Sequence, residues 1–140
     1  MRIIDASIIV KLCIEETGSA AAKAIFESGG KFATPDHAYA EVAEVLTRKV
    51  RLGQAVFGQM VLATRNIGAE IEFLKLPELV SSAMAISMET GASVYDCLYV
   101  AAADRLKSQL VTADRRLVER LSGTRYAQLL IPLDSAKGPR

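Results

Sequence analysis

Cysteine and histidine are scarce in this sequence, and no stretch of it is both long and apolar. Two cysteines, Cys13 and Cys97, and a single histidine, His37, are spread over 140 residues. The cysteines lie in apolar, helix-like sequence at no metal-type spacing. A disulfide framework and a Cys/His metal site are therefore excluded, and two reduced, buried thiols in a cytoplasmic protein are expected. The longest uncharged run, 52–64, is thirteen residues and contains glycine and two glutamines. It is too short and too polar to cross a bilayer, so no membrane partner is expected. No export leader is read in the opening residues, because Asp5 interrupts the apolar start and Lys11 follows closely. Internal repeats and low-complexity segments are missing. So is a glycine-rich P-loop, which excludes a nucleotide switch of that type. Charge of one sign is also lacking, with seventeen Lys and Arg against sixteen Asp and Glu. Any nucleic acid must then be met by a local basic patch and not by the charge of the whole molecule.

What is present is a hydrophobic content of 51% and a mean hydropathy of +0.23. A chain of this length buries roughly two thirds of its unfolded surface without a covalent staple. It reads as one domain, 1–133, followed by a polar tail, 134–140, expected to be unstructured. Four short apolar runs have the look of parallel strands covered on both faces: 2–5, 31–34, 70–74 and 109–112; a fifth is expected over 127–131. Helical spacing fills the segments between them, over 18–27, 36–49, 55–67, 78–90, 94–107 and 115–121, with Gly91 as a natural helix stop. Strands alternating with helices, sometimes two helices in a row, predict an α/β fold around a parallel sheet.

Asp5 ends the first apolar strand, in "MRIIDASIIV", where a hydrophobe or a turn residue would be ordinary. In an open parallel sheet, ligands sit beyond the carboxyl ends of the strands, where the strand order reverses. Three more acids fall at comparable places: Asp114 just past the fourth strand, Asp96 in the first turn of the preceding helix, and Glu41 one to two turns into the helix after the second strand. Brought together, they would repel by roughly 4 kcal/mol per pair at ~4 Å and an effective dielectric of ~20. Protonation or a cation must relieve this. All-oxygen ligands suit Mg²⁺ or Mn²⁺, ions whose usual work is on phosphates. Each acid also has a plain structural use. Asp114 before Arg115 is a good helix cap. Ser93 and Asp96 have capping-box spacing. Asp5 can cap the helix that starts near Ser7, and helix N-termini keep carboxylates ionised, so capping and metal binding are compatible. Glu44 stands four residues before Arg48 and is expected to pair with it on the surface.

Four segments resemble the motifs of the PIN domain, and more narrowly of the VapC-type toxin ribonucleases. They are "RIIDASIIVKL", "TPDHAYAEVAEVL", "VYDCLYVAAA" and "LVTADRRL", in order and spanning residue 2 to about 121. The resemblance implies a three-layer α/β/α fold around a parallel five-stranded sheet with the first strand central. It implies an endoribonuclease dependent on Mg²⁺ or Mn²⁺. Asp5, Glu41, Asp96 and Asp114 take the four acidic positions, with Asp5, Asp96 and Asp114 as metal ligands, Asp114 through water or a second ion. Ser7 and Thr112 match the accompanying hydroxyls. One departure is Glu44, where the family's second motif often carries Asn. The resemblance further implies an RNA substrate, an antitoxin protein as partner and a homodimer, with apolar residues over 55–62 available for an interface.

For RNA, Arg115 and Arg116 are the basic residues expected to rim the acids. Lys11 lies on the first helix, and Arg48, Lys49 and Arg51 are expected farther away. Tyr39, Tyr95 and Tyr99 lie on apolar helices and are expected in the core, which leaves no stacking platform for bases. His37 is expected to hydrogen-bond near Glu41. A receiver-type phosphoacceptor domain is the main rival α/β reading. It needs an acidic pair after the first strand and an Asp ending the third, and "EIEFLKLPEL" offers none. A PIN-like scaffold without activity is the other.

Overall fold

In the computed structural model, residues 1–134 are described; the expected tail beyond Asp134 lies outside them. Five strands, β1 (Arg2–Ile4), β2 (Phe32–Pro35), β3 (Glu72–Leu74), β4 (Leu110–Thr112) and β5 (Leu130–Pro132), form one parallel sheet in the order β3-β2-β1-β4-β5. β1 is central, as the resemblance implied. The three innermost strands are apolar on both faces because helices cover both: β2 and β4 are buried throughout, as are Ile3 and Ile4.

Seven α-helices are present among the described residues: α1 (Ala6–Cys13), α2 (Ser19–Glu27), α3 (His37–Arg51), α4 (Phe57–Gly68), α5 (Val80–Thr90), α6 (Val94–Arg105) and α7 (Arg115–Leu121). α1 packs on α2, α3 and α4. α5 pairs with α6, and α6 lies over β1, β2 and β4. The run Ala101-Ala102-Ala103 is fully buried there; side chains this small let α6 settle close to the sheet. Gly91 ends α5 in the left-handed region, at φ 78°, which a glycine adopts at little cost.

The connection from β1 runs outward through β2 to β3, then crosses back over the sheet to β4 on the other side of β1. The order therefore reverses beside β1, and the carboxyl ends of β1 and β4 open a crevice there. Register places Ile4 against Val111, so the residues that follow β1 and β4 emerge side by side.

Several element boundaries differ from the sequence expectation. The first strand stops at Ile4, because Asp5 leaves the ladder to cap α1. The segment 127–131 splits into a 3₁₀ turn over Ala127–Leu129 and then β5, and 76–78 likewise form a 3₁₀ turn before α5. Cys97 is buried and Cys13 only partly so; both are free thiols. Tyr99 is buried at 2%, but Tyr95 is 69% exposed and Tyr39 39%. The outward face of a helix start overrides the apolar context for Tyr95. Glu44 and Arg48 are both exposed and, among the described residues, not paired with each other. Two long side chains free in water gain too little to hold one geometry.

Candidate active site

Asp5 sits where β1 turns into α1. Its Oδ1 accepts the Ile8 N–H (3.2 Å) and the Ser7 hydroxyl, and its Oδ2 accepts the Thr112 hydroxyl from the end of β4. The two hydroxyls have second bonds as well. Ser7 Oγ accepts the Ala113 N–H and Thr112 Oγ1 the Asp114 N–H, each at 3.0 Å. The backbone after β4 is thus tied to the acid after β1. Asp5 is 4% exposed. Burial pushes its carboxyl up to about 6, although the bonds from Ser7, Thr112 and Ile8 pull the other way; the Asp114 charge raises it further.

Asp114 caps α7, its Oδ1 accepting the N–H groups of Arg116 (3.0 Å) and Leu117 (3.2 Å). The capping reading holds, and Oδ2 is not used by it. Asp96 is half-buried in the first turn of α6, where Ser93 Oγ accepts its N–H at 3.1 Å. Burial, then the charges of Asp114 and Glu41, raise the Asp96 carboxyl above its ordinary value. Glu41 stands on α3. His37 Nε2 lies 3.0 Å from Glu41 Oε1, but it also lies 2.9 Å from the Tyr95 carbonyl. The carbonyl and the carboxylate can both only accept, so the two oxygens compete for the one ring N–H, and Glu41 Oε1 is buried without a well-formed hydrogen bond of its own. The Tyr99 hydroxyl is buried and unpartnered near the same carboxylate. Burial, then the Glu41 and Asp5 charges, push its phenol well above the ordinary value.

All four acids line one cavity of about 360 Å³, together with Tyr99. Asp114 also lines two adjoining grooves. One carries Lys11 and Arg115, the other Arg116 and Arg120. Arg115 itself is turned to Asp134, at 2.7 Å. Arg116 is near enough to Asp96 to lower its carboxyl against the other influences.

Three residues on the cavity wall were not expected there. Lys49, assigned a more distant place by its position at the end of the helix, lies on the same α3 face as Glu41 and Val45 and lines the cavity. Its spacing of eight from Glu41 was the available signal, since residues four and eight apart share a helix face. Glu16 and Lys11 are there too. Lys11 Nζ lies 3.1 Å from Glu16 Oε1, and Lys49 Nζ 3.1 Å from Glu16 Oε2. Burial raises the Glu16 carboxyl, but the bonds and charges of the two lysines outweigh this and hold it below the ordinary value. Nothing in the irregular loop around Glu16 announces that role in sequence.

The donor set suits a hard divalent cation. Every candidate ligand atom is a carboxylate or hydroxyl oxygen, one buried carboxylate oxygen lacks a well-formed hydrogen bond, and two of the acids are held above their ordinary values by burial and then by neighbouring acids. Among the described residues, no three of them stand close enough together to hold an ion without side-chain adjustment.

A parallel sheet with acids from four remote segments at its switch point defines an acidic-site α/β protein. The PIN domain family profile matches residues 2–122, and the chain belongs to the PIN domain family. It is 30% identical over 121 residues to Ribonuclease VapC3 of Pyrobaculum aerophilum, an alignment covering 84% of this chain and 92% of that one. Solved structures share the fold. The protein PAE2754 from Pyrobaculum aerophilum matches with a TM-score of 0.72 at 22% identity, covering 96% of this chain and 91% of that one. A toxin-antitoxin complex from Klebsiella pneumoniae matches with a TM-score of 0.63 at 16% identity, covering 95% and 98%. VapC20 of Mycobacterium tuberculosis, described as a Sarcin-Ricin loop cleaving toxin, matches with a TM-score of 0.62 at 17% identity, covering 81% and 88%.

Proposed function

We propose that this protein is a Mg²⁺- or Mn²⁺-dependent endoribonuclease that hydrolyses RNA phosphodiester bonds as the toxin of a toxin–antitoxin pair. The observation that carries the reading is the shared cavity of Asp5, Glu41, Asp96 and Asp114. The similarity to Ribonuclease VapC3 supports RNA as the substrate. The fold shared with a protein solved as a toxin–antitoxin complex supports an antitoxin as the partner. Among the described residues no helix is long and apolar enough to cross a membrane, which agrees with work in the cytoplasm. Exposed Val56, Phe57 and Leu62, in and beside α4, offer apolar surface for a homodimer.

In this reading, a bound divalent cation supplies an activated water and offsets the charge of the phosphate. The chain's own groups have distinct parts. Asp5 is immobilised by three hydrogen bonds and presents the remaining lone pair of Oδ2. Asp96 faces it from α6. Asp114 keeps Oδ1 on its helix and has Oδ2 for the ion or for an ordered water. Glu41, which lines the same cavity, is suited to hold the attacking water. Ser7 and Thr112 orient Asp5 through their hydroxyls. A single RNA strand crossing the acids meets basic groups on either side of Asp114, with Arg116 the better placed of the two arginines expected from the sequence.

Cleavage of a fluorophore–quencher oligoribonucleotide tests this. Activity should require Mg²⁺ or Mn²⁺, stop in excess EDTA, and fall by at least ~10²–10³-fold in Asp96→Asn. Undiminished cleavage in EDTA overturns the metal mechanism.

A further inference from the structure

Lys11, Glu16 and Lys49 form a separate arrangement on the wall of the acidic cavity. The two ammonium groups come from different helices, α1 and α3, and each takes one oxygen of the same carboxylate, at 3.1 Å. All three side chains are mostly shielded, with exposures of 17%, 27% and 24% for Lys11, Glu16 and Lys49.

Glu16 does not need its carboxylate to keep its place. Its N–H donates to Ser19 Oγ at 2.9 Å, and its carbonyl accepts the Ser19 N–H at 3.0 Å. Lys11 is held independently as well. Its Nζ donates to the Thr17 carbonyl at 2.7 Å, and its stem runs over Gly18, where a Cβ would lie 3.1 Å from Lys11 Cε. Lys49, by contrast, has Glu16 as its one ion-pair partner among the described residues. The lysines are therefore aimed at a point, and Glu16 is a movable anion occupying it. A phosphodiester carries the same single negative charge on two terminal oxygens. It can take the place of the carboxylate oxygen for oxygen.

We propose that Lys11 and Lys49 form the seat of an RNA backbone phosphate beside the reacting one, and that Glu16 fills this seat in the free protein and is displaced when RNA binds. The proposal rests on the nuclease reading for the identity of the anion. Its charge logic is simple. An acidic cavity repels RNA, and the paired lysines are the strongest local attraction on its wall. While Glu16 sits between them, that attraction is partly cancelled. An incoming phosphate offers each lysine an oxygen of the same charge, so it can replace the carboxylate without leaving either ammonium unpaired, and the carboxylate then swings into solvent from its anchored backbone.

Fluorescence anisotropy of a fluorescein-labelled short oligoribonucleotide tests this, in EDTA so that binding is read without turnover. Glu16→Gln should bind several-fold more tightly than wild type. Lys49→Met should bind more weakly, and Lys11→Met/Lys49→Met, which empties the seat of both charges, should flatten the dependence of log K on log salt by about 0.7, the loss of one neutralised phosphate on a single strand. Thermal melts establish that each variant is folded. If Glu16 serves only to position the lysines, Glu16→Gln will bind no better than wild type, and that result overturns the proposal; so does an unchanged salt slope in the double lysine variant. The two readings fail separately. A protein that does not cut RNA with Mn²⁺, yet binds more tightly as Glu16→Gln, loses the nuclease assignment and keeps the anion seat. A protein that cuts with Mn²⁺, yet gains nothing from Glu16→Gln, loses only the seat.

Discussion

Asp5 combines two roles that pull against each other. As a cap it satisfies the first turn of α1, and as a buried carboxylate it carries a charge the cavity does not compensate. The consequence is a pH dependence with a definite sign. In the unfolded chain the group titrates at its ordinary value of 3.8, and in the metal-free fold at about 6. Between those values the folded state holds a proton that the unfolded state has released, so stability falls as pH rises through the window and levels off above it. The loss is ~1.4 kcal/mol per pH unit, on the order of 3 kcal/mol in all. Metal-free Asp5→Asn, which removes the charge, should therefore be more stable than wild type at neutral pH by about 1–2 kcal/mol, after allowing for a poorer bond to Thr112. The advantage should vanish near pH 4. Urea melts of both proteins in EDTA across that range check it, and a variant less stable than wild type at neutral pH contradicts the account of Asp5. The same residue was legible in sequence because a carboxylate closing an apolar strand has few plain uses. Glu16 was not legible. Its position depends on an irregular loop, 14–18, whose path no periodicity encodes, and on two lysines that reach it from other elements.

At the scale of elements, the hydroxyls of Ser7 and Thr112 join the end of β4 to the start of α1. Thr112→Val keeps the shape of the side chain but removes the donor to Asp5 and the acceptor for the Asp114 N–H. It should cost about 1–3 kcal/mol in a denaturation experiment. With one fewer bond favouring the ionised Asp5, it should also raise that carboxyl in the metal-free protein, read by NMR titration in EDTA. An unchanged titration would contradict the part assigned to the Thr112 bond. Ser93→Ala, which strips the cap from α6 and removes a bond that lowers the Asp96 carboxyl, should cost ~1 kcal/mol and raise that carboxyl further. The helices were well marked in sequence. α7 falls at the expected residues, and α5 stops at Gly91, because caps and stops act through neighbours in the chain. Strand ends were less well marked. β1, β3 and β5 are each three residues long, so a single residue that leaves to cap a helix, or one 3₁₀ turn, shifts the boundary by much of the element. Lys49 was misplaced for a related reason. Its nearness to the helix end drew attention from the face it shares with Glu41.

For the molecule as a whole, a cation that binds only the folded cavity must stabilise the fold. At ~100 times its dissociation constant, Mn²⁺ should add ~2.7 kcal/mol, or roughly 8 °C in melting temperature for a chain of this size. The gain should be lost in Asp96→Asn. Calorimetry with and without Mn²⁺ checks this, and an equal gain in the variant would place the ion elsewhere. The central position of β1 was implied by the resemblance in sequence, and the pairing of β1 with both β2 and β4 agrees with it.

That pairing has a further consequence for synthesis. The pocket needs Asp5 and also Thr112, 107 residues further along the chain, and β4 can dock beside β1 only after both have left the ribosome. A chain that lacks β4 consequently has no assembled pocket. The site is completed late, by a strand that joins the sheet on the side of β1 away from β2.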